Sequence, residues 1–217
     1  AILVAHLGDA AIAATTAGAG NAFVVMILPI GTVFIVSSFA AQLTGRGDAI
    51  SARRYAWYGL AIALLAQLLC MGTALTFPAW LGYLPYSPDV RALMSSYLTY
   101  RLLSGGAAVG LEALANYYGG TGDTVRPMVA SVSAMVLNVA LNVALIDGRW
   151  GFPAMGVAGS GLASTIATTI AFLGLLVHFA WRGWVLRRTS QAMPASGWRK
   201  KLREFGRMLR FGLPSGF

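Results

Sequence analysis

Two amides four residues apart stand inside a charge-free apolar run. Asn138 and Asn142 fall within Met128 to Ile146, MVASVSAMVLNVALNVALI, a stretch long enough to cross a bilayer. A four-residue spacing stacks side chains on one face of a helix. A bare amide in hydrocarbon is costly, so this face must look at protein, water or cargo. A neutral amide can coordinate Na⁺ through its oxygen, or hold a carboxylate through its proton cycle. It cannot itself carry a proton. The plainer alternative is that the two amides glue helices together, since interhelical amide bonds are common in membranes.

Other polar residues share apolar surroundings. Arg101 and Glu112 lie in one run, eleven apart, about three helical turns, so they can share a face at different depths. Glu112 is a candidate for lining a cation path. The alternative pairs each with a neighbouring helix or lets it snorkel. Ser164, Thr165 and Thr168 are a hydroxyl set suited to ion binding or to helix packing. Gln42 reads as a hydrogen bonder near a helix end, with a pathway contact as the other reading. Asp123 and Arg126 suit a loop turn that caps the next helix. His6 and His178 are isolated and no metal is assigned to either. No nucleophile–base pair, phosphate-cradling glycine loop or metal cluster is present in the sequence. That argues against an enzyme and against direct ATP drive, and no cofactor is expected.

These residues need helices in a membrane to hold them. Of 217 residues, 57% are hydrophobic and 11% charged, where a soluble domain carries roughly 25% charged residues. The fold class expected is all-α, a polytopic transmembrane bundle. The single Cys70 excludes a disulfide within the chain. Ala1 to Ala14 reads as the outer end of a helix whose beginning is missing. Spans are expected at 21–43, 55–81, 90–116, 128–146 and 155–181. Residues 182–210 form a basic segment, and 211–217 open another helix. The chain is expected to be a fragment of a longer protein.

Charge orients the spans. The loops 44–54 and 118–127 and the segment 182–210 hold thirteen of the sixteen Lys and Arg, whereas the opposite loops hold Arg91 and Arg149. This positive-inside pattern puts the basic loops in the cytoplasm. It also explains the net charge of +9 without nucleic acid as a partner. Within Gly197 to Arg210, Trp198, Leu202, Phe205 and Leu209 recur at helical spacing between cations. That pattern suits an amphipathic helix on the membrane surface, with a solvated connector as the alternative.

Four stretches in order resemble the multidrug and toxic compound extrusion (MATE) family. They are GTVFIVSSFAAQLTGRGD (31–48), YYGGTGDTVRPM (117–128), VLNVALN (136–142) and GFPAMGVAGSGLAS (151–164). The resemblance implies a twelve-helix transporter of two six-helix lobes. Residues 1–181 would be the amino-terminal lobe from the end of helix one through helix six. Residues 182–210 would be the cytoplasmic linker between lobes, and 211–217 the start of helix seven. It further implies export of cationic, amphipathic compounds in exchange for H⁺ or Na⁺ across a cell membrane, the inner membrane of a bacterium. The partners implied are those compounds, lipid and the second lobe. The family's polar positions on helix five map to Asn138 and Asn142. Its helix-six hydroxyl maps to Ser164, with Thr165 beside it. Its helix-one Asp would fall just before Ala1. Some members carry a carboxylate where Asn142 stands, which leaves the coupling ion open. Two other readings stay alongside: a lipid-linked oligosaccharide flippase of the same superfamily, and a membrane scaffold without transport.

Overall fold

The computed structural model describes residues 2–189 and 197–216, and no strand occurs among them. Four helices are long and apolar enough to cross a membrane: α1 (Asp9–Gly45), α2 (Ala49–Leu81), α5 (Val125–Asp147) and α6 (Gly156–Thr189). Between α2 and α5 the chain returns through two shorter helices in series, α3 (Pro88–Leu102) and α4 (Gly105–Gly120). An amphipathic helix, α7 (Trp198–Gly212), leads into a short 3-10 turn at Leu213–Gly216. The chain is a multi-pass membrane protein.

The first helix differs from expectation. Residues 1–14 read as the tail of a preceding helix, with the first full span beginning at Asn21. Instead a 3-10 turn covers Ile2–Leu7, Gly8 takes φ +100°, and α1 begins at Asp9. Gly8 holds a left-handed conformation that a β-carbon disfavours, so the chain can turn sharply here. From Asp9 the helix passes through Pro29 without ending. At 1.5 Å per residue its 37 residues span about 55 Å, well beyond the hydrocarbon thickness.

A second difference lies at 90–116, read as one continuous span. The structure interrupts it at Leu103–Ser104. Ser104 is followed by Gly105 and Gly106, and glycine is a poor helix former. Broken backbone is tolerated at membrane depth only where protein satisfies it. Leu102 and Ser104 are fully enclosed, and Arg101 and Thr165 bond into the break, as described below.

Small residues let the helices approach. On α6, Gly161 abuts α3: a β-carbon at 161 would sit 2.7 Å from the Tyr97 carbonyl oxygen. Gly159 makes the same approach to α5, where a β-carbon would sit 2.6 Å from the Leu145 carbonyl oxygen. Such small-residue contacts drive packing where lipid removes the hydrophobic difference between helices. They place α6 between α3 and α5.

The basic loops gather at one end of the bundle. There Arg53 donates from Nη2 to the Phe179 carbonyl (2.7 Å) and stacks on the Phe179 ring at 3.9 Å. Arg126 pairs with Asp123, and Asp123 Oδ1 accepts from the Arg126 amide, closing the turn that starts α5. Helix α7 packs on this end. The Tyr58 hydroxyl donates to Glu204 Oε2 at 3.0 Å, Arg54 lies 3.5 Å from the same oxygen, and Met208 is fully buried.

Asp48 caps α2 by accepting from the Ser51 amide at 2.9 Å. The hydrogen bonds from Ser51 hold the Asp48 carboxyl below the usual carboxylate range. Asp48→Ala is expected to cost about 1 kcal/mol of stability, read as a lower thermal midpoint in detergent. A depressed folded pKa means the contribution is complete above the unfolded value, about 3.9, and fades as pH falls through the folded one. The gap between Asp48→Ala and wild type should therefore close in acid.

Candidate functional site

A cavity of about 700 Å³ opens among α1, α3, α5, α6 and the initial 3-10 turn. Asn138 and Asn142 of α5 line it, with Ser160 and Ser164 of α6. Thr15 and Thr16 of α1 and Tyr97 of α3 complete the polar wall. Leu3 and Val4 contribute an apolar lip. Amides, hydroxyls and a phenol thus converge at one place inside a largely apolar bundle.

The amides are chained. Asn142 Nδ2 donates to Asn138 Oδ1 (3.0 Å) and to the Asn138 carbonyl (2.8 Å). Asn138 Nδ2 donates in turn to Ser164 Oγ at 3.0 Å. The four-residue stack on α5 therefore reaches across to α6. Asn142 is only 4% exposed, so its bonds form in a poorly solvated setting where each counts for more. Ser164 accepts from Asn138, which leaves its own hydroxyl proton free to donate into the cavity. Every group in this chain is neutral. It can offer oxygens to a small cation or hold a partner carboxylate, and it has no group that titrates near neutrality.

Thr165 is not among the residues that line the cavity. Its sequence position beside Ser164 suggested a second ligand hydroxyl, yet the hundred-degree helical step turns it toward α3. Thr165 Oγ1 donates to the Tyr100 carbonyl at 2.6 Å and lies 3.3 Å from Ser104 Oγ. Arg101 Nη1 donates to Ser104 Oγ at 2.8 Å, and Ser104 bonds back to the Arg101 carbonyl at 3.2 Å. Thr165, Arg101 and Ser104 thus satisfy the backbone freed at the α3–α4 break. Thr165→Val is expected to cost about 1–3 kcal/mol by leaving buried acceptors short of donors. Cargo binding per folded molecule should stay near wild type, which a binding isotherm on the folded fraction would check.

The remaining candidates stand apart. Glu112 is half-buried on α4 and does not line the cavity; among the described residues its carboxylate has no hydrogen-bond or ion-pair partner. Arg101 is engaged at the break and does not line the cavity either. Gln42 is exposed near the basic end of α1. His178 Nδ1 lies 2.7 Å from the Tyr118 hydroxyl, and His6 Nε2 lies 2.8 Å from Asp147 Oδ1. Among the described residues no group of three His, Cys, Asp or Glu could hold a metal.

Sequence reasoning missed Thr15, Thr16 and Tyr97. Ending the first segment at Ala14 and starting the first span at Asn21 left both threonines in the gap between them. Tyr97 carried no local signal, because its place at the cavity depends on how α3 packs against α6. Ser160 had one, four residues before Ser164.

A polar cavity held between packed membrane helices, beside an interrupted crossing, is an arrangement that secondary transporters share. The MatE family's sequence profile matches residues 1–144. This chain belongs to the MatE family. It is 33% identical over 180 residues to the probable multidrug resistance protein NorM of Bradyrhizobium diazoefficiens, covering 83% of this chain and 39% of that protein. It is 30% identical over 220 residues to the NorM of Chromobacterium violaceum, covering 99% of this chain and 46% of that one. Multidrug resistance protein PmpM of Pseudomonas aeruginosa is 30% identical over 198 residues, covering 88% and 39%. The chain thus spans less than half the length of these relatives. Among solved structures, a MATE protein in its bent conformation matches with a TM-score of 0.79 at 22% identity, over 99% of this chain and 46% of that one. An inward-facing and an outward-facing MATE transporter each match with a TM-score of 0.75, at 21% and 22% identity, over 99% of this chain and 47% and 46% of theirs. The fold is therefore that of the MATE transporter structures, over about half of their length.

Proposed function

We propose that this chain is the amino-terminal lobe, with its linker, of an efflux antiporter in a bacterial inner membrane. It exports cationic, amphipathic compounds against an inward flow of H⁺ or Na⁺. The observation that carries this reading is the chain of bonds from Asn142 through Asn138 to Ser164, lining a cavity large enough for a small molecule. A helix bundle gains nothing from opening such a cavity over buried amides, which argues against a scaffold. Asn138, Asn142 and Ser164 hold cation or cargo, and Thr165 supports α6 from behind. Glu112, whose carboxylate has no hydrogen-bond or ion-pair partner among the described residues, serves as a secondary point on the cation path. Arg101 and Gln42 lie off that path. The relatives named as multidrug resistance proteins support the cargo class.

Comparable likeness to inward- and outward-facing structures fits a lobe that moves as a unit against its partner lobe. A flippase for a pyrophosphate-linked lipid is the competing reading. Such cargo calls for a strongly cationic cavity. Here Arg101 is the one Lys or Arg deep within a crossing, and it is engaged by Ser104.

The test uses the full-length protein in proteoliposomes. An imposed Na⁺ or H⁺ gradient should drive uptake of a lipophilic cation without ATP. Uptake that needs ATP and ignores both gradients would overturn the antiporter reading. Topology is checked separately, in cells carrying single cysteines with Cys70 replaced by Ala. Tyr83→Cys, at a site 86% exposed in the loop between α2 and α3, should react with an impermeant thiol reagent added outside. Thr44→Cys, at the basic end, should be shielded until the cells are opened. The reverse pattern would invert the orientation.

A further inference from the structure

Helix α7 has more apolar surface than its docking uses. Its contact face is filled: Phe205 packs edge-on against Tyr58 with ring centroids 5.7 Å apart, Met208 is fully buried, and Gly212 abuts the Thr32 carbonyl of α1. The same apolar stripe continues into the first turns of α7, where it remains open. Trp198 is 68% exposed and Leu202, one turn on, is 54% exposed. Arg199 and Lys201 border this strip on either side, and Arg203 and Lys200 lie further round the same turns, all exposed. None of the four has an ion-pair partner among the described residues. The helix's own acid, Glu204, turns inward to Tyr58 and Arg54.

Depth can be read from the neighbours. Lys200 is near enough for its charge to act on Asp48, in the loop between α1 and α2. The start of α7 therefore lies level with the basic loops. Exposed tryptophans ring the same end: Trp57 on α2, and Trp181 and Trp184 late in α6, are each about half exposed. Trp57 meets Phe179 edge-on at 5.6 Å, which ties the α2 and α6 members of this ring together. Exposed tryptophan at the end of a membrane helix marks headgroup level.

We propose that the first turns of α7 form a binding surface for anionic phospholipid headgroups of the cytoplasmic leaflet. Trp198 and Leu202 enter the boundary between headgroup and acyl chain, and Arg199, Lys200, Lys201 and Arg203 meet lipid phosphates. The charge complement fits, because that leaflet carries the negative surface potential and basic residues near it are attracted. The apolar strip supplies the insertion that a surface helix needs. The linker is thereby held to the membrane at the first turns of α7 and to α1 and α2 further along. This inference rests on the orientation set by the charge pattern and does not depend on the transport reading.

The experiment places a fluorophore at Leu202→Cys, with Cys70 replaced by Ala, in the full-length protein. Nanodiscs hold either phosphatidylcholine alone or a mixture with phosphatidylglycerol, and each set carries nitroxide-labelled lipid as a quencher. Quenching should be strong with phosphatidylglycerol and weaker without it. Arg199→Gln, Lys200→Gln, Lys201→Gln and Arg203→Gln combined should abolish the difference. Each cation removed should lower retention of phosphatidylglycerol by about fivefold, read by native mass spectrometry. The four sites are exposed, so gel filtration should show wild-type folding for the combined variant. Equal quenching in both lipids, unchanged in the variant, would overturn the headgroup site and leave apolar insertion alone. No quenching in either lipid would place the strip against water or another part of the protein and overturn the proposal altogether.

Discussion

Asn142→Leu is expected to leave insertion and folded yield near wild type while ion-driven export falls to background. The two quantities separate for a physical reason. Leucine is cheaper than asparagine in a membrane helix, so the replacement favours the inserted state. The lost bonds run within α5, from Asn142 to the side chain and carbonyl of Asn138, so no helix–helix contact is broken directly. Membrane hydrogen bonds of this kind are worth roughly 0.6–2 kcal/mol, too little to unfold a bundle. The site, however, loses an amide oxygen and the donor that orients Asn138. A cation or carboxylate held there loses a partner in a poorly solvated pocket. Asn138→Leu should behave similarly with a larger stability cost, because it also removes the bridge to Ser164 on α6. Folded yield by fluorescence-detected gel filtration, measured beside transport per folded molecule, separates the two effects. Export that falls only in proportion to folded yield would make the amides helix glue.

Gly161→Val is expected to have the largest effect on folding. A β-carbon at 161 would lie 2.7 Å from the Tyr97 carbonyl oxygen and 3.4 Å from the Tyr100 β-carbon. The obstructing atom is backbone, so no side-chain rotation relieves it. Overpacking costs about 1–3 kcal/mol where neighbours can shift, and a rigid α3 backbone argues for the upper end or beyond. The displacement acts on function as well. Pushing α6 from α3 pulls Thr165 off the Tyr100 carbonyl and moves Ser160 and Ser164 relative to Tyr97 across the cavity. The thermal midpoint in detergent should fall by several degrees and cargo affinity should fall with it. Gly174, whose β-carbon would meet nothing within 4 Å, is the control, and Gly174→Ala should change neither.

The fold was legible where hydrophobic length carries the signal. α2, α5 and α6 follow from uninterrupted apolar runs of crossing length, and the MATE resemblance supplied their order. The α3–α4 break was not legible, because its cause is partly tertiary. Gly105 and Gly106 weaken the helix locally, but the bonds that steady the break come from Thr165, sixty-one residues from Ser104. The start of α1 was misread for a local reason. His6, Gly8 and Asp9 interrupt the apolar pattern, but the chain turns only at Gly8, and α1 starts at Asp9 and carries Thr15 and Thr16 into the cavity.

The site was half legible. Spacing put Asn138 and Asn142 on one face, and the structure adds that this face meets Ser164. Adjacency in sequence does not put Thr165 on the cavity side with Ser164, since neighbouring residues on a helix diverge by about a hundred degrees. Nothing local in the sequence could place Tyr97 opposite the amides. That contact depends on Gly161 letting α3 and α6 approach, which is a property of the pair of helices.

The central claim is that the Asn138–Asn142–Ser164 face binds the transported cation or its coupling ion. Equilibrium binding tests it most directly, using a fluorescent lipophilic cation and the purified full-length protein, titrated with and without Na⁺ and at two pH values. Asn138→Leu, Asn142→Leu and Ser164→Ala should each weaken binding, or its response to Na⁺ or pH, by tenfold or more. Thr165→Val should leave both intact in the folded fraction. Wild-type affinity and wild-type ion response in all three cavity variants would contradict the account.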